Sequence, residues 1–462
     1  MFRKLTLFLL ILILLANTIP GFSQSQDDLP VYIVQSGDTL GTIAQRFGVP
    51  VNDLIQANAI ANPNAISAGM PLKIPGLTGI SGTLITQPVP LGETFKSLSI
   101  RYHASQSILA RLNRITSPQE LYAGASLVLP QANDKGIAGA RSELTAGQSL
   151  LEASVGLNLN PWSAQLIGQR TPNDPILPGE ILYSKAVDPK VEISSISPLI
   201  TKVQITPLPL VQGKTITIRV FTTQPLALNG KLVGKDLHFF QEKENQYVAL
   251  QGVYALANPG LSPFQLNGAS TSGSSFDFEE MLILKSGFYP NDPPLTVDPT
   301  TIDPAVTKPE ESQVAQVIAP ATPVKYWSKI FRVPVDQPVC YKSTFGNRRS
   351  YNGGPYDSFH GGTDYGICPN RNIYAPAEGV VVFSGPLTVR GNATIIDHGW
   401  GVYSGYWHQK EIKVKVGDHV KAGDLIGLIG DTGRVTGPHL HWEMIVNGIQ
   451  VEPVDWLENV FP

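Results

Sequence analysis

Apolar positions in the first part of the chain recur with a helical period. Between Thr39 and Phe47 they fall at Leu40, Ile43, Ala44 and Phe47, which puts them on one face of a helix. Asp38 is placed to cap that helix. Val51 to Asn58 reads as a second helix, Val31-Tyr32-Ile33-Val34 as a β-rich opening strand, and Pro71-Leu72-Lys73-Ile74-Pro75 as a closing strand. The unit is β-α-α-β, and it recurs. Gly37-Asp38-Thr39-Leu40, Gly92-Glu93-Thr94-Phe95 and Gly147-Gln148-Ser149-Leu150 stand at a constant interval of 55 residues. Ala68-Gly69, Ala123-Gly124 and Pro178-Gly179 keep the same interval, and Ile74-Pro75 and Leu129-Pro130 close the first two copies. A fixed period means one supersecondary unit used three times, over about residues 31–75, 85–130 and 141–185. The third copy is degenerate: Gly168 stands where the others have Asn58 and Asn113, and Lys185 replaces the final proline.

From residue 195 to 289 the period shortens to two. Thr215 to Phe221 alternates as a half-buried strand should, Tyr247 to Val253 and Phe276 to Leu284 are further strands, and Pro259-Gly260 suits a turn. Leu228-Asn229-Gly230-Lys231 reads as a tight hairpin, because Asn-Gly tolerates positive φ at both turn positions. An immunoglobulin-like β-sandwich is expected here, acting as a spacer. Residues 290 to 323 then hold eight prolines among Thr, Asp, Val and Ala, which reads as an extended, semi-stiff linker over 290–325. Residues 326–462 alternate again, and the glycines at 423, 427, 430 and 433 suit tight turns between strands. No clear helix opens after them, which argues against a phosphate-binding loop. Val416 to Gly423 has the look of a carrier hairpin for lipoyl or biotin, but the modified-lysine motif is missing.

Composition adds export and removes two partner classes. Met1-Phe2-Arg3-Lys4, an apolar run from Leu5 to Ala16 and Pro20-Gly21-Phe22-Ser23 describe a signal peptide over residues 1–23. The run is too short to span a bilayer comfortably, and nothing later spans either. The expected location is therefore outside the cytoplasm: periplasmic, cell-wall-associated or extracellular, with no membrane contact once the signal is removed. Lys plus Arg (34) nearly balances Asp plus Glu (37), so nucleic acid is not an expected partner.

The chemistry is concentrated in the last third. Six of the eight histidines lie between His360 and His441. In His360-Gly361-Gly362-Thr363-Asp364 the two side chains can converge on one ion, with two glycines to let the backbone bend. In His439-Leu440-His441 on a strand, both imidazoles project from one face. Three N/O ligands and an open position make a hydrolytic zinc centre, and one His of the pair is left for proton transfer. His398, in Asp397-His398-Gly399, and His419, after Gly417-Asp418, are read as structural or solvent-facing.

Phe345-Gly346-Asn347-Arg348, Ile396 to Gly399, Tyr406-Trp407-His408 and Thr436 to Glu443 join these motifs in an order that resembles the lysostaphin/LytM-type zinc metallopeptidases. The resemblance covers roughly residues 326 to 458 and implies a mostly antiparallel β domain that cuts peptide bonds in peptidoglycan. Carried over by position, it implies one Zn2+ on His360, Asp364 and His441, with His439 as general base and His408 as second catalytic histidine. The amino-terminal repeat resembles the LysM domain, which binds N-acetylglucosamine-containing glycans. That implies glycan contacts at Gly37, Asp38, Thr39, Leu40 and Asn58 in the first copy and at Gly92, Glu93 and Thr94 in the second. Cys340 and Cys368, the only cysteines, flank His360 and Asp364, and export permits a bridge between them; two separate buried thiols are the alternative. The function expected is an exported peptidoglycan endopeptidase held on the wall by its repeats. The rival is a non-catalytic wall-binding regulator of other hydrolases.

Overall fold

The computed structural model of the chain describes residues 29–462 apart from 78, 103, 118–119, 132–140, 145–146, 158, 169–170, 172–179, 184–195, 198 and 272. The segment read as a signal peptide lies outside the described residues, as do Pro178, Gly179 and Lys185 of the third copy. No helix among the described residues is long and apolar enough to cross a membrane. The chain divides into two compact units, residues 1–87 with 101–116 and 127–134, and residues 88–100 with 117–126 and 135–462.

In the first unit the expected β-α-α-β order holds: Val31–Ile33, Leu40–Phe47, Val51–Ala57 and Pro71–Lys73. Leu40, Ile43, Ala44 and Phe47 are buried with Tyr32, Leu54 and Leu72, so the helical spacing does mark the core face. The cap is Thr39 rather than Asp38. Thr39 has the extended backbone of a cap, and its hydroxyl accepts from Thr42 N at 3.1 Å. Asp38 turns back instead, accepting from Tyr32 Oη and Gln35 N at 2.8 Å each. One sheet runs through both intact copies in the order Pro71–Lys73, Val31–Ile33, Thr83–Pro88, Ser126–Pro130.

In the second unit the third copy keeps the order Arg141–Glu143, Leu150–Gly156, Pro161–Ile167, Ile181–Tyr183 around a small core of Leu144, Ala153 and Leu182. Two sheets follow. Phe240–Lys243, Gln246–Gly252, Thr215–Thr222 and Ile200–Thr206 form one; Lys235–Asp236, Ala227–Leu232, Gly260–Ala269, Ser275–Lys285 and Leu210–Val211 form the other. Ile216, Ile218 and Ala249 of the first and Phe264, Leu266 and Leu282 of the second share one core. The expected hairpin at Leu228–Lys231 is a correction: these residues lie inside the strand, and the reversal comes at Val233 and Gly234, with φ of 51° and 74°. Gly230 serves a close approach, since a Cβ there would sit 2.5 Å from Gln265 O.

The extended linker is the larger correction. After Asp298-capped Pro299–Ile302, residues Pro304–Val317 form an α-helix that starts on Asp303, whose carboxylate accepts from Ala305 N at 2.8 Å. Pro304 occupies the first turn, where a missing N–H is not needed. Val314 and Ile318 are buried against Tyr403, Trp407 and Ile445, and that apolar stripe outweighs the poor helix propensity of Pro309. Just before the helix, Asn291 bridges to Arg348 and Leu295 to Tyr351. The segment is thus a strap bound to the carboxy-terminal domain.

That domain is built on a ten-stranded sheet in which Tyr341–Ser343, Thr363–Tyr365, Leu440–Val446, Val402–Ile412 and Gly391–Gly399 lie side by side, all antiparallel. Tyr365, Tyr406, Leu440, Trp442 and Met444 fill its core.

Candidate metal centre and catalytic cleft

Strand register assembles the centre. Asp364 lies directly opposite His441, so their side chains leave the same face of the sheet. Along the second strand His439, His441 and Glu443 share that face, while Leu440, Trp442 and Met444 point into the core. Gly361 and Gly362 are needed for space, not for bending. A Cβ at Gly362 would meet Trp442 O at 2.3 Å and His441 Nε2 at 2.8 Å, and one at Gly361 would meet Gln450 Nε2 at 2.7 Å. Cys340 and Cys368 are paired as a disulfide with Cα atoms 5.8 Å apart, closing the ends of the segment that carries His360 and Asp364.

Hydrogen bonding fixes the tautomers. His360 Nδ1 donates to Thr344 O at 2.8 Å, so Nε2 carries a lone pair. His441 Nε2 donates to the Glu443 carboxylate at 3.0 Å, so Nδ1 carries the lone pair there. Those two nitrogens lie 2.9 Å apart, and Asp364 Oδ1 lies 3.0 Å from one and 2.9 Å from the other. Three potential ligand atoms converge. Such a cluster is unfavourable unless a cation sits at its centre. The spacing is close to the edge of about 3.3 Å in a tetrahedron with bonds of about 2.0–2.1 Å, the zinc–nitrogen and zinc–oxygen range. The donor set fits zinc, and among the described residues these three form the group that could hold a metal ion.

The electrostatics agree. Burial would raise the Asp364 carboxyl, but the two imidazoles hold it well below the usual carboxylate range. Burial lowers His360. Burial would also lower His441, yet Asp364 and Glu443 push it up to about 9, so a proton competes with a metal for its Nδ1. Glu443 is buried; the His441 contact overcomes that burial and draws its carboxyl down to about 2. Gln450 Nε2 also donates to Glu443 at 3.2 Å.

Two more imidazoles face the same cleft. His439 Nδ1 donates to Gly437 O at 2.8 Å, leaving Nε2 as a lone pair 3.7 Å from Asp364 Oδ1. His408 Nδ1 donates to Thr432 O at 2.8 Å, leaving its Nε2 free to accept. The rings stand 5.0 Å apart. Burial keeps both neutral: it lowers His439, and with the charges of His441 and His439 it brings His408 down to about 3. Simple alternation would aim His408 away from the cleft, because its neighbour Trp407 is the residue paired with His441. A register shift on the Val402–Ile412 strand and a φ of 63° at His408 redirect it.

The other histidines stay out. His398 is fully buried, its Nδ1 donating to Glu378 O at 2.7 Å and its Nε2 facing Ser404 Oγ at 2.8 Å. His419 is exposed on the Tyr326 ring. The motifs did not disclose Glu443, Arg349, or the strap residues Leu295, Val297, Thr307 and Glu311, all lining a cleft of about 240 Å³ with the five site residues. Glu443 alone had a signal, as the next position in the His439, His441 alternation.

In the repeats, the residues expected to touch glycan divide. Gly37 is exposed with φ of 87°, Thr39 is exposed, and Leu40 is core. Asn58 is consumed: its amide donates to Leu54 O and Lys73 O at 2.9 and 2.8 Å and accepts from Lys73 N at 2.7 Å. It ties the second helix to the closing strand, and Asn113 does the same with Leu109 and Val128. In the second copy Gly92 N donates to Glu280 Oε2 of the Ser275–Lys285 strand at 2.8 Å. Glu93 is buried and accepts from Ser97 Oγ, and exposed Thr94 caps the next helix through Ser97 N at 3.1 Å.

Residues 358–453 match the family model described as Peptidase family M23, and residues 32–75 and 89–130 match that of the LysM domain. Peptidoglycan DD-endopeptidase ShyA of Vibrio cholerae is 41% identical over 117 residues, 25% of this chain and 27% of that protein. Lysostaphin of Staphylococcus staphylolyticus is 33% identical over 117 residues, 22% of each chain. Among solved structures, a putative peptidase M23 from Pseudomonas aeruginosa is 25% identical with a TM-score of 0.41, covering 55% of this chain and 96% of that one. The chain spans about a quarter of the length of the curated relatives it matches.

Proposed function

We propose, for a chain whose residues 358–453 form a peptidase family M23 domain and whose residues 32–75 and 89–130 form LysM domains, an exported zinc endopeptidase that cuts peptide bonds in peptidoglycan. The observation that carries this reading is the convergence of His360 Nε2, Asp364 Oδ1 and His441 Nδ1 to within 3.0 Å of one another, beside the imidazoles of His439 and His408. Bound there, zinc supplies a water of near-neutral pKa and polarises the scissile carbonyl. His439 Nε2 takes the proton of the attacking water and returns it to the leaving amine. His408 Nε2 is an acceptor in its neutral form, so it orients the water through the second hydrogen; donating to an oxyanion would need the imidazolium that burial disfavours. Glu443 holds the His441 ring by its Nε2–H. The LysM domains hold the enzyme on glycan strands and raise its local concentration. The two-sheet module, read as an immunoglobulin-like sandwich, spaces and packs these parts.

The test is zinc analysis of the purified protein with digestion of purified peptidoglycan and mass analysis of the released ends. One zinc per chain and new peptide amino termini are expected. Zinc without cleavage would make the non-catalytic wall-binding regulator the better account.

A further inference from the structure

We propose that Glu310, outside the matched peptidase region, is a positioning residue for His408. The claim rests on the catalytic reading of that histidine. Glu310 sits on the Pro304–Val317 helix and is only 5% exposed. Its two oxygens grip one peptide turn. Oε2 accepts from Val389 N at 2.7 Å, and Oε1 accepts from Arg390 N at 3.2 Å and from Arg390 Nη1 at 2.8 Å. The carbonyls of the same two residues are used on the other side. Arg390 O accepts from His408 N at 2.9 Å, and Val389 O accepts from Arg434 N at 2.8 Å.

The chain of contacts therefore runs from the Glu310 carboxylate through the Val389–Arg390 peptide to the backbone of His408. That backbone needs holding. A φ of 63° is costly for a residue with a Cβ, and it persists only where the surroundings over-determine it. Two groups fix His408 directly: Arg390 O on its N–H and Thr432 O on its Nδ1–H. Glu310 determines the place of the first. A buried carboxylate is costly without hydrogen-bond partners, and here its three hydrogen bonds go to one turn rather than to the helix that carries it. The apolar contacts of Val314 and Ile318 already attach that helix. Attachment and positioning are thus carried by different residues, so they can be separated.

The experiment compares the full-length protein with Glu310→Gln and Val314→Ala, on a soluble cross-linked peptide. Glu310→Gln puts an amide NH2 against the donors on one side of the turn and removes the charge that pairs with Arg390. It should lower kcat by roughly 10- to 100-fold, the usual cost of losing an orienting partner, with KM within about twofold and full zinc content. Val314→Ala loosens the helix and lowers the melting temperature, yet should leave kcat within about twofold. His-selective 15N spectra supply a reading independent of turnover. The His408 Nδ1–H signal should move in Glu310→Gln and stay in Val314→Ala, with His398 unmoved in both. Unchanged kcat and an unmoved His408 signal in Glu310→Gln would overturn the proposal, as would equal loss of kcat in Val314→Ala. Wild-type protein without turnover defeats the peptidase reading instead, and the His408 signal then still decides whether Glu310 positions the ring.

Discussion

Each histidine of the cleft has one ring nitrogen tied to an acceptor, and the other is thereby left as a lone pair facing the centre. This assignment separates ligand from base. His441 Nδ1 lies within 2.9 Å of two other acceptors, whereas His439 Nε2 stands back at 3.7 Å from Asp364. His439→Ala should therefore keep its zinc and its fold while turnover falls by roughly 100-fold or more, measured as metal content and kcat on the same preparation; wild-type turnover would sink the assignment. Glu443→Gln should act on the metal instead. Losing the carboxylate behind the His441 Nε2–H should weaken zinc binding by about 10- to 100-fold in a chelator competition, and unchanged affinity would remove Glu443 from the centre. The convergence of His360, Asp364 and His441 was legible in the sequence, because their short spacings bring them together once the Thr363–Tyr365 and Leu440–Val446 strands pair. His408 was not legible from alternation, since only its left-handed backbone turns it inward. His398 gives a pH prediction. Burial holds it down at about 4 against 6.5 when exposed, so the unfolded chain binds more protons between those values. Its contribution is fully present above pH 6.5 and is lost as pH falls toward 4. With chelator present to remove metal linkage, unfolding free energy should drop by about 2 to 3 kcal/mol more in wild type than in His398→Gln between pH 7 and pH 4.5. Equal drops would show that His398 is not held neutral.

At the scale of elements, the strands were read well and the strap was not. The Ser275–Lys285 strand alternates in burial, whereas Gln246–Gly252 is buried on both faces, with Tyr247 and Ala249 in one core and Val248 and Leu250 in another. The Pro304–Val317 helix was hidden by its composition. Its prolines and threonines suggest an extended linker, and its buried stripe of Glu310, Val314 and Ile318 makes sense only beside Arg390, Tyr403 and Trp407, roughly 80 residues on. Asn229-Gly230 misled in the opposite way, since a glycine required by a neighbouring strand's carbonyl looks the same as a turn glycine. The Cys340–Cys368 bridge belongs to this scale too. Its sequence separation of 28 predicts that reduction destabilises the domain by about 3 to 4 kcal/mol in the chain-entropy model. Because the loop carries His360 and Asp364, reduction should also weaken zinc binding. Denaturant unfolding and zinc titration with and without reductant check this, and a reduced protein of unchanged stability would refute it.

At the scale of the whole molecule, the two intact repeats are alike in sequence and unlike in what their loops face. Gly37, Ala68 and Gly69 of the first copy are exposed, and a Cβ on either glycine would meet nothing. The corresponding loops of the second copy are spoken for. Gly92 is bonded to Glu280, Ala123 O accepts from Ile283 N at 3.1 Å, and Ala123 is fully buried in the core shared by the two sheets. A Cβ on Gly124 would stand 3.0 Å from Pro209 Cα. Similar signatures therefore need not mean identical duties, and no periodicity could have shown it, since the difference lies in a module far downstream in the sequence. Glycan binding by the full-length protein should then depend on the first copy. Asn64→Glu with Ala65→Glu changes two exposed positions on the segment after its second helix, where substitutions cost little stability. Sedimentation with insoluble peptidoglycan or chitin at moderate salt should fall by about tenfold in this variant, the range in which a lost second site also removes the local-concentration gain. A comparison change on the segment after the second helix of the second copy, Ser117→Glu with Glu120→Lys, should leave sedimentation nearly as in wild type. If the first variant still sediments like wild type while the second does not, the copies have been assigned the wrong way round. If both sediment normally, the repeats do not hold this enzyme on the wall.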